Sequence, residues 1–357
     1  MFRTSITSLI IASPIAALAD APNVVTDIAP VHSLVAQVMG DLGQPELLVT
    51  GNASPHSFAL RPSQAQALEN AQVVFFIGED LTPWLEPVLE RVASKATLVE
   101  LLHLPQTTTL EFRNEAAFAH DDDDDHAEHD DHDKHDDHDD HAEHDDHDKH
   151  DDHDDHAEHD DHAEHDDHDD HAEQDEHKGH DDHAGHNHDG VDPHAWLSPD
   201  NAAVWLDAIA ATLSAQDPEH ASNYFTNAAS AKEELAATVA EVEKTLLPTK
   251  GKKYVVFHDA YHYFEEKFDI EVSGAISLGD ATTPGPARVE RIQNLVRELN
   301  ISCAFSEPQY SEGLVKTVLE GTDAQSAVLD PLGARLPIGT SHYNALLRDL
   351  ATSIAGC

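Results

Sequence analysis

Residues 218–247 read PEHASNYFTNAASAKEELAATVAEVEKTLL, the longest helical pattern in the chain. Pro218 opens it and no proline or glycine follows inside it, so nothing in the run ends a helix once started. Thirty residues at 1.5 Å each span roughly 45 Å, more than one small α/β lobe. The stretch therefore predicts a rigid strut joining two lobes, with a pair of helices broken near Asn227 as the other reading. What lies on either side agrees with two lobes. Upstream, strand-like runs at 24–28 (VVTDI), 46–50 (ELLVT), 72–78 (QVVFFIG) and 96–101 (ATLVEL) alternate with helical runs at 30–40, 61–71 and 82–93. Gly40 closes the first of these helices, and Ser63 is a candidate N-cap for the second. A continuous apolar run such as QVVFFIG belongs to a strand covered on both faces, as in a parallel sheet. A further helix, 201–216, has Asp200 or Asn201 at its start. Downstream of Pro248 the alternation resumes, with strands in 252–259, 271–279, 301–307 and 326–333 separated by helices and closed by a last helix, 343–356. The predicted fold class is α/β: two similar lobes with parallel sheets flanked by helices, one long connecting helix, and a cleft between the lobes. The predicted limits are a leader at 1–19, an N-terminal lobe at 20–217, a linking helix at 218–247 and a C-terminal lobe at 248–357.

Residues 120–188 interrupt the first lobe. They are built from Asp-Asp-His and Ala-Glu-His triplets and hold 22 of the chain's 30 histidines. With almost no apolar side chain, the segment cannot offset the entropy of ordering itself, and a period of three drifts around a helix of 3.6. It is expected to be disordered. Neutral imidazoles suit zinc, copper, nickel and cobalt, and carboxylates add oxygen ligands, so His126, His129, His132, His135, His138, His141, His144, His147, His150, His153, His156, His159, His162, His165, His168 and His171 form a candidate auxiliary metal tract. A spacer needs only acids; a histidine in nearly every triplet needs another cause. The tract points to metal without saying whether the chain is an enzyme, a store or a carrier.

The first residues, MFRTSITSLIIASPIAALADAP, have a positive start at Arg3, a short apolar run and a small-residue Ala17-Leu18-Ala19 site. This is the pattern of a cleaved secretory signal, too short to span a membrane. Two cysteines, Cys303 and Cys357, predict one disulfide in an oxidising compartment. The formal net charge is −50, of which −32 falls in residues 120–189, with 35 acids against 3 lysines. That balance argues for cations and against nucleic acid as partners.

In open parallel sheets, ligands collect beyond the C-terminal ends of the strands. His56 lies in such a loop, ASPHSFALRPSQ; His194 lies in VDPHAWLSP; His258 follows the strand KKYVVF; Asp330 follows SAVL in VLDPLG. Two positions per lobe would make one site between lobes. Each residue also has a bland role, in capping or in a turn. Their common placement, in a chain with a metal tract, favours ligation. His262 is four residues from His258, but the zincin signature needs a glutamate after the first histidine and Asp259 stands there. His262 is read as a surface or supporting residue. His32 and His342 are read as surface residues, and Glu307 as a residue orienting the cleft or a turn carboxylate.

The segments ASPHSFALRPSQ, DPHAWLSP, VVFHDAYHYFE, FSEPQYS and VLDPLG together resemble the signature segments of the periplasmic zinc-binding proteins of ABC importers, the ZnuA-like group. The resemblance covers essentially the whole mature chain in order, with the acidic His-rich insertion in the expected place. It implies zinc held in a cleft by His56, His194 and His258, delivery to an ABC-type zinc permease with its cytoplasmic ATPase, a periplasmic location and a monomeric, non-enzymatic protein that is not membrane-embedded. Manganese-binding relatives carry a carboxylate where His258 stands. Three imidazoles also suit tetrahedral zinc better than manganese, which takes more oxygen. Some zinc-importing relatives have a glutamate before the first histidine, but here Pro55 stands there, so Asp330, a water or a tract histidine is left for the fourth position. The competing readings are a carrier for manganese or another divalent metal, a metal store, and a zinc hydrolase. No HExxH or other hydrolase motif is present, and a store leaves the three placed histidines unexplained.

Overall fold

The computed structural model describes residues 21–113, 118, 190–277, 284–310 and 312–357. The expected leader and the histidine tract lie outside these residues, as do residues 278–283, which hold the end of the predicted strand 271–279 and the start of the segment after it.

The first lobe is a sheet of β1 (Val24–Thr26), β2 (Glu46–Leu47), β3 (Val73–Phe76) and β4 (Thr97–Glu100) in the order β2-β1-β3-β4, all parallel. Helices α1 (Ala29–Met39), α2 (Pro62–Glu69), α3 (Glu86–Val92) and α4 (Pro199–Gln216) complete it. All four residues of β3 are buried, as a strand covered on both faces requires. The second lobe repeats the plan with β5 (Lys253–Val256), β6 (Glu271–Ala275), β7 (Cys303–Ser306) and β8 (Gln325–Val328), ordered β6-β5-β7-β8 and again parallel. Its helices are α6 (His262–Phe268), α7 (Pro286–Glu298), α8 (Glu312–Leu319) and α9 (His342–Ala355).

Between the lobes runs α5 (Ala221–Leu246), 26 residues or about 39 Å. A 3₁₀ turn, Pro218–His220, precedes it, because the fixed φ of Pro218 and the buried Asp217, bonded to His220 and Tyr224, set the entry. There is no break at Asn227. That side chain docks on α1, its Nδ2 donating to the Val38 carbonyl at 3.0 Å. Gly40 ends α1 directly beneath it at φ +55°, where any Cβ would stand 2.6 Å from the same nitrogen, so only glycine fits.

The buried face of α5 is Tyr224, Ala228, Ala231, Leu235, Thr238, Val242 and Leu246, a stripe at three- and four-residue spacing. It packs with α1, α4 and α9, and the resulting core is continuous from Val24 in one lobe to Ile354 in the other. The helix is thus embedded along its length rather than a bare strut. Cys303, on β7, is disulfide-bonded to Cys357 after α9. Asp200 and Asn201 lie in the first turn of α4, which Ser198 caps, and Arg61 rather than Ser63 precedes α2, since in both helices the proline occupies the first turn. No helix among the described residues is long and apolar enough to cross a membrane.

Two histidines expected at the surface are buried. His32 is 6% exposed, its Nε2 against the Pro45 carbonyl at 3.1 Å, because α1 is wrapped on nearly every side. His342 is fully buried at the start of α9, with Nε2 2.9 Å from the Leu332 carbonyl and Nδ1 3.2 Å from that of Pro337. It supports the loop that follows β8.

Candidate metal centre between the lobes

Three imidazoles meet where the strand ends of the two lobes face each other. His56 sits in a 3₁₀ turn, Pro55–Ser57, opened by Ser54, whose Oγ accepts the His56 N–H at 3.2 Å. Trp84 pins this turn by donating its indole N–H to the Pro55 carbonyl at 2.6 Å. His194 enters from the segment ahead of α4 and is 2% exposed. His258 follows β5 in the second lobe and is 5% exposed. One ligand atom from each of the three lies within 4.8 Å of the others, and no other such group of three occurs among the described residues.

The two buried rings are oriented by carboxylates. Nδ1 of His194 is 2.7 Å from Asp192 Oδ1, and Nδ1 of His258 is 2.6 Å from Glu307 Oε1. Since an ionised carboxylate only accepts, each Nδ1 carries the proton and each Nε2 presents its lone pair to the cavity. The two Nε2 atoms stand 3.4 Å apart. Two nitrogens bound to a tetrahedral zinc at about 2.05 Å would be about 3.3 Å apart. Burial pushes the His194 ring below the ordinary histidine value, while the Asp192 carboxylate opposes the shift. The ring is therefore kept neutral, the form that ligates.

The cavity between the rings is small, about 10 Å³, and is also lined by Trp196, Gln309, Tyr310, Pro331 and Leu332. Trp196 donates to the Pro331 carbonyl at 2.8 Å and so ties the two walls together. A space of that size holds one atom, not a substrate molecule.

Asp330 is not brought into the group. Its Oδ1 accepts from the Leu332 and Gly333 N–H groups at 3.1 Å each, and Oδ2 from that of Ala334 at 2.7 Å. Both oxygens face the backbone of their own turn, as an aspartate that bonds the N–H groups following it in a turn does. His262 begins α6, half-buried and outside the group. Asp192 escaped the reading of the sequence. Its signal is the Asp-Pro-His spacing, which lets a carboxylate reach back to the ring two residues on.

A protein-family model described as zinc-uptake complex component A, periplasmic (ZnuA), matches residues 24–357. The chain belongs to the ZnuA family. Among its relatives, the high-affinity zinc uptake system protein ZnuA of Paracoccus denitrificans is 44% identical over 342 residues, 96% of this chain and 93% of that protein. The protein of the same name from Brucella abortus is 40% identical over 94% of this chain and 91% of its own length. A crystal structure of ZnuA aligns with a TM-score of 0.65 at 21% identity over 95% of this chain and 99% of that one. The solute-binding protein FpvC of Pseudomonas aeruginosa, solved with Mn2+, aligns at 0.68 and 15% over 94% and 98%. At those identities the structural matches establish the shared two-lobed fold.

The carboxylates behind the rings carry a testable consequence. Asp192→Asn and Glu307→Gln, which keep shape and lose charge, are expected to weaken zinc binding by about 10- to 100-fold each. Competition against a chromophoric chelator reads the change.

Proposed function

We propose that this chain captures Zn2+ in the periplasm and delivers it to an ABC-type zinc permease driven by a cytoplasmic ATPase. His56, His194 and His258 serve as ligands of the carried ion. The observation that carries the reading is the 3.4 Å separation of two carboxylate-oriented Nε2 atoms, one from each lobe. Two lone pairs at that distance repel unless a cation or proton lies between them, and three nitrogens are a zinc set rather than a manganese set. The names of the relatives, zinc uptake proteins, agree. A residual fourth position is left to water, given the engagement of Asp330 with its own turn.

The leader, residues 1–19, acts as a cleaved signal peptide, and the tract collects or buffers zinc outside the cleft. A passive store would bind zinc only through the tract. Calorimetry on the chain lacking residues 120–188 separates the two. One tight site is expected to survive the deletion while several weak ones vanish; loss of all binding would overturn the carrier reading.

A further inference from the structure

The chain segments on either side of the histidine-rich insertion, residues 110–112 and 190–192, are zipped together. Glu111 and Val191 form an antiparallel bridge, Phe112 N–H donates to the Gly190 carbonyl at 3.1 Å, and Asp192 N–H to that of Leu110 at 2.8 Å. This stem belongs to the first lobe, yet the second lobe grips it. The Tyr263 hydroxyl on α6 donates to the Asp192 carbonyl at 2.7 Å and accepts from Leu110 N–H at 2.9 Å. Phe118 N–H donates to the Ser273 carbonyl of β6 at 2.9 Å.

The strongest grip is Arg113. Its Nε donates to Asp259 Oδ2 at 2.9 Å, Nη1 to Glu265 Oε2 at 2.9 Å and Nη2 to Glu265 Oε1 at 2.7 Å, with a further bond from Nη2 to Asp259 Oδ1. Its guanidinium carbon lies 3.8 Å from the centroid of the Phe118 ring. The side chains of Asp259 and Glu265 are 5% and 6% exposed, and that of Arg113 18%. An ion triad so far out of water adds little net stability, because desolvation offsets attraction. What two forked carboxylate contacts do fix is geometry.

The geometry they fix is that of the centre. Asp259 is the residue after His258, and the chain turns tightly there, Ala260 N–H donating to the His258 carbonyl at 3.0 Å. Asp259 is not used to cap α6, which has no side-chain cap. The other strand of the same stem carries Asp192, which holds His194. One pair of strands is thus connected to both rings whose Nε2 atoms face each other, to one through Arg113 and Asp259, to the other through Asp192.

We propose that Arg113 is a positioning residue for the zinc centre, setting the separation of His258 from His194 across the lobes without touching the ion. The proposal rests on the assignment of those imidazoles as ligands. In the full chain, Arg113→Met replaces the fork by an apolar side chain that can still pack on Phe118. It is expected to raise the zinc dissociation constant by about 10- to 100-fold, the range for residues that orient ligands. With one equivalent of Co2+ as probe, it should also shift the visible d–d bands of the tight site. Arg113→Lys, which keeps the charge and loses the fork, should regain melting temperature more than affinity. Should Arg113→Met not fold, Asp259→Asn makes the same test, with the same expected loss and band shift. A melting temperature lowered with affinity within twofold of wild type and an unchanged cobalt spectrum would make Arg113 a staple only and overturn the proposal. The same titration on His258→Ala separates the two assignments. If that variant binds zinc like wild type, the ligand assignment falls and this proposal with it. If it loses binding while Arg113→Met and Asp259→Asn do not, the positioning role alone falls.

Discussion

Zinc affinity is expected to fall by about 10²- to 10³-fold when His194 or His258 is replaced by alanine. A protein zinc site is worth roughly 10–16 kcal/mol in all, so one of about four ligands carries about 3–4 kcal/mol, and each 1.4 kcal/mol is tenfold in affinity. Both rings are buried and already oriented by a carboxylate, so little of that energy is lost in ordering them on binding. His56 lies on a 3₁₀ turn and is only partly buried, so the same change there is expected to cost less. Removing His258 also leaves Glu307 buried without its ring. The measurement therefore pairs chelator competition with a melting curve, and His258→Gln serves beside alanine. A loss below tenfold at both His194 and His258, in folded protein, would remove these rings from the ligand set.

The second large effect is on pH. Zinc and protons compete for the same imidazole lone pairs, so affinity of the tight site is expected to drop by about 10²-fold between pH 7.5 and 5.5, around the ordinary histidine value of about 6.5. His194 sharpens the sign. Burial holds its ring below that value against the pull of Asp192, so the folded apo-protein refuses a proton that the unfolded chain accepts. Its contribution to stability is complete above about pH 6.5 and declines as pH falls through that value, until the folded ring itself protonates. Calorimetric titrations across the range check the first statement, and melting temperatures of the zinc-free protein the second. An affinity that stays level through the pH at which the folded rings take up protons would exclude imidazole ligation.

Much of the fold was legible because its signals are local. Buried parallel strands such as Val73–Phe76 leave unbroken apolar runs, and a helix free of glycine and proline announces its length. Of the centre, the three imidazoles were legible because each follows a strand or stands in a segment shared with a known family, and Glu307 because it sits in one of those segments. The rest depends on direction or on distance along the chain. Whether Asp330 turns outward to an ion or inward to the amides of residues 332–334 is decided by a few torsions that composition does not record. His32 and His342 stand among other polar residues of their helices and looked solvent-facing, but α1 and the start of α9 pack them into the interior. Arg113 meets Asp259 and Glu265 across 146 and 152 residues, and nothing near Arg113 in the sequence marks that encounter.

The paired stem at Glu111 and Val191 bears on how such a chain can vary. Because the backbone leaves and returns at adjacent positions, the ends of the interruption are already joined by main-chain bonds, and the entropic cost of closing a longer loop there grows only with the logarithm of its length. Triplets can be gained or lost between the two strands with little consequence for the ligand spacing. Repeat number and cleft geometry are then separate inheritable traits, one adjustable by adding or losing triplets and the other held by a few side chains.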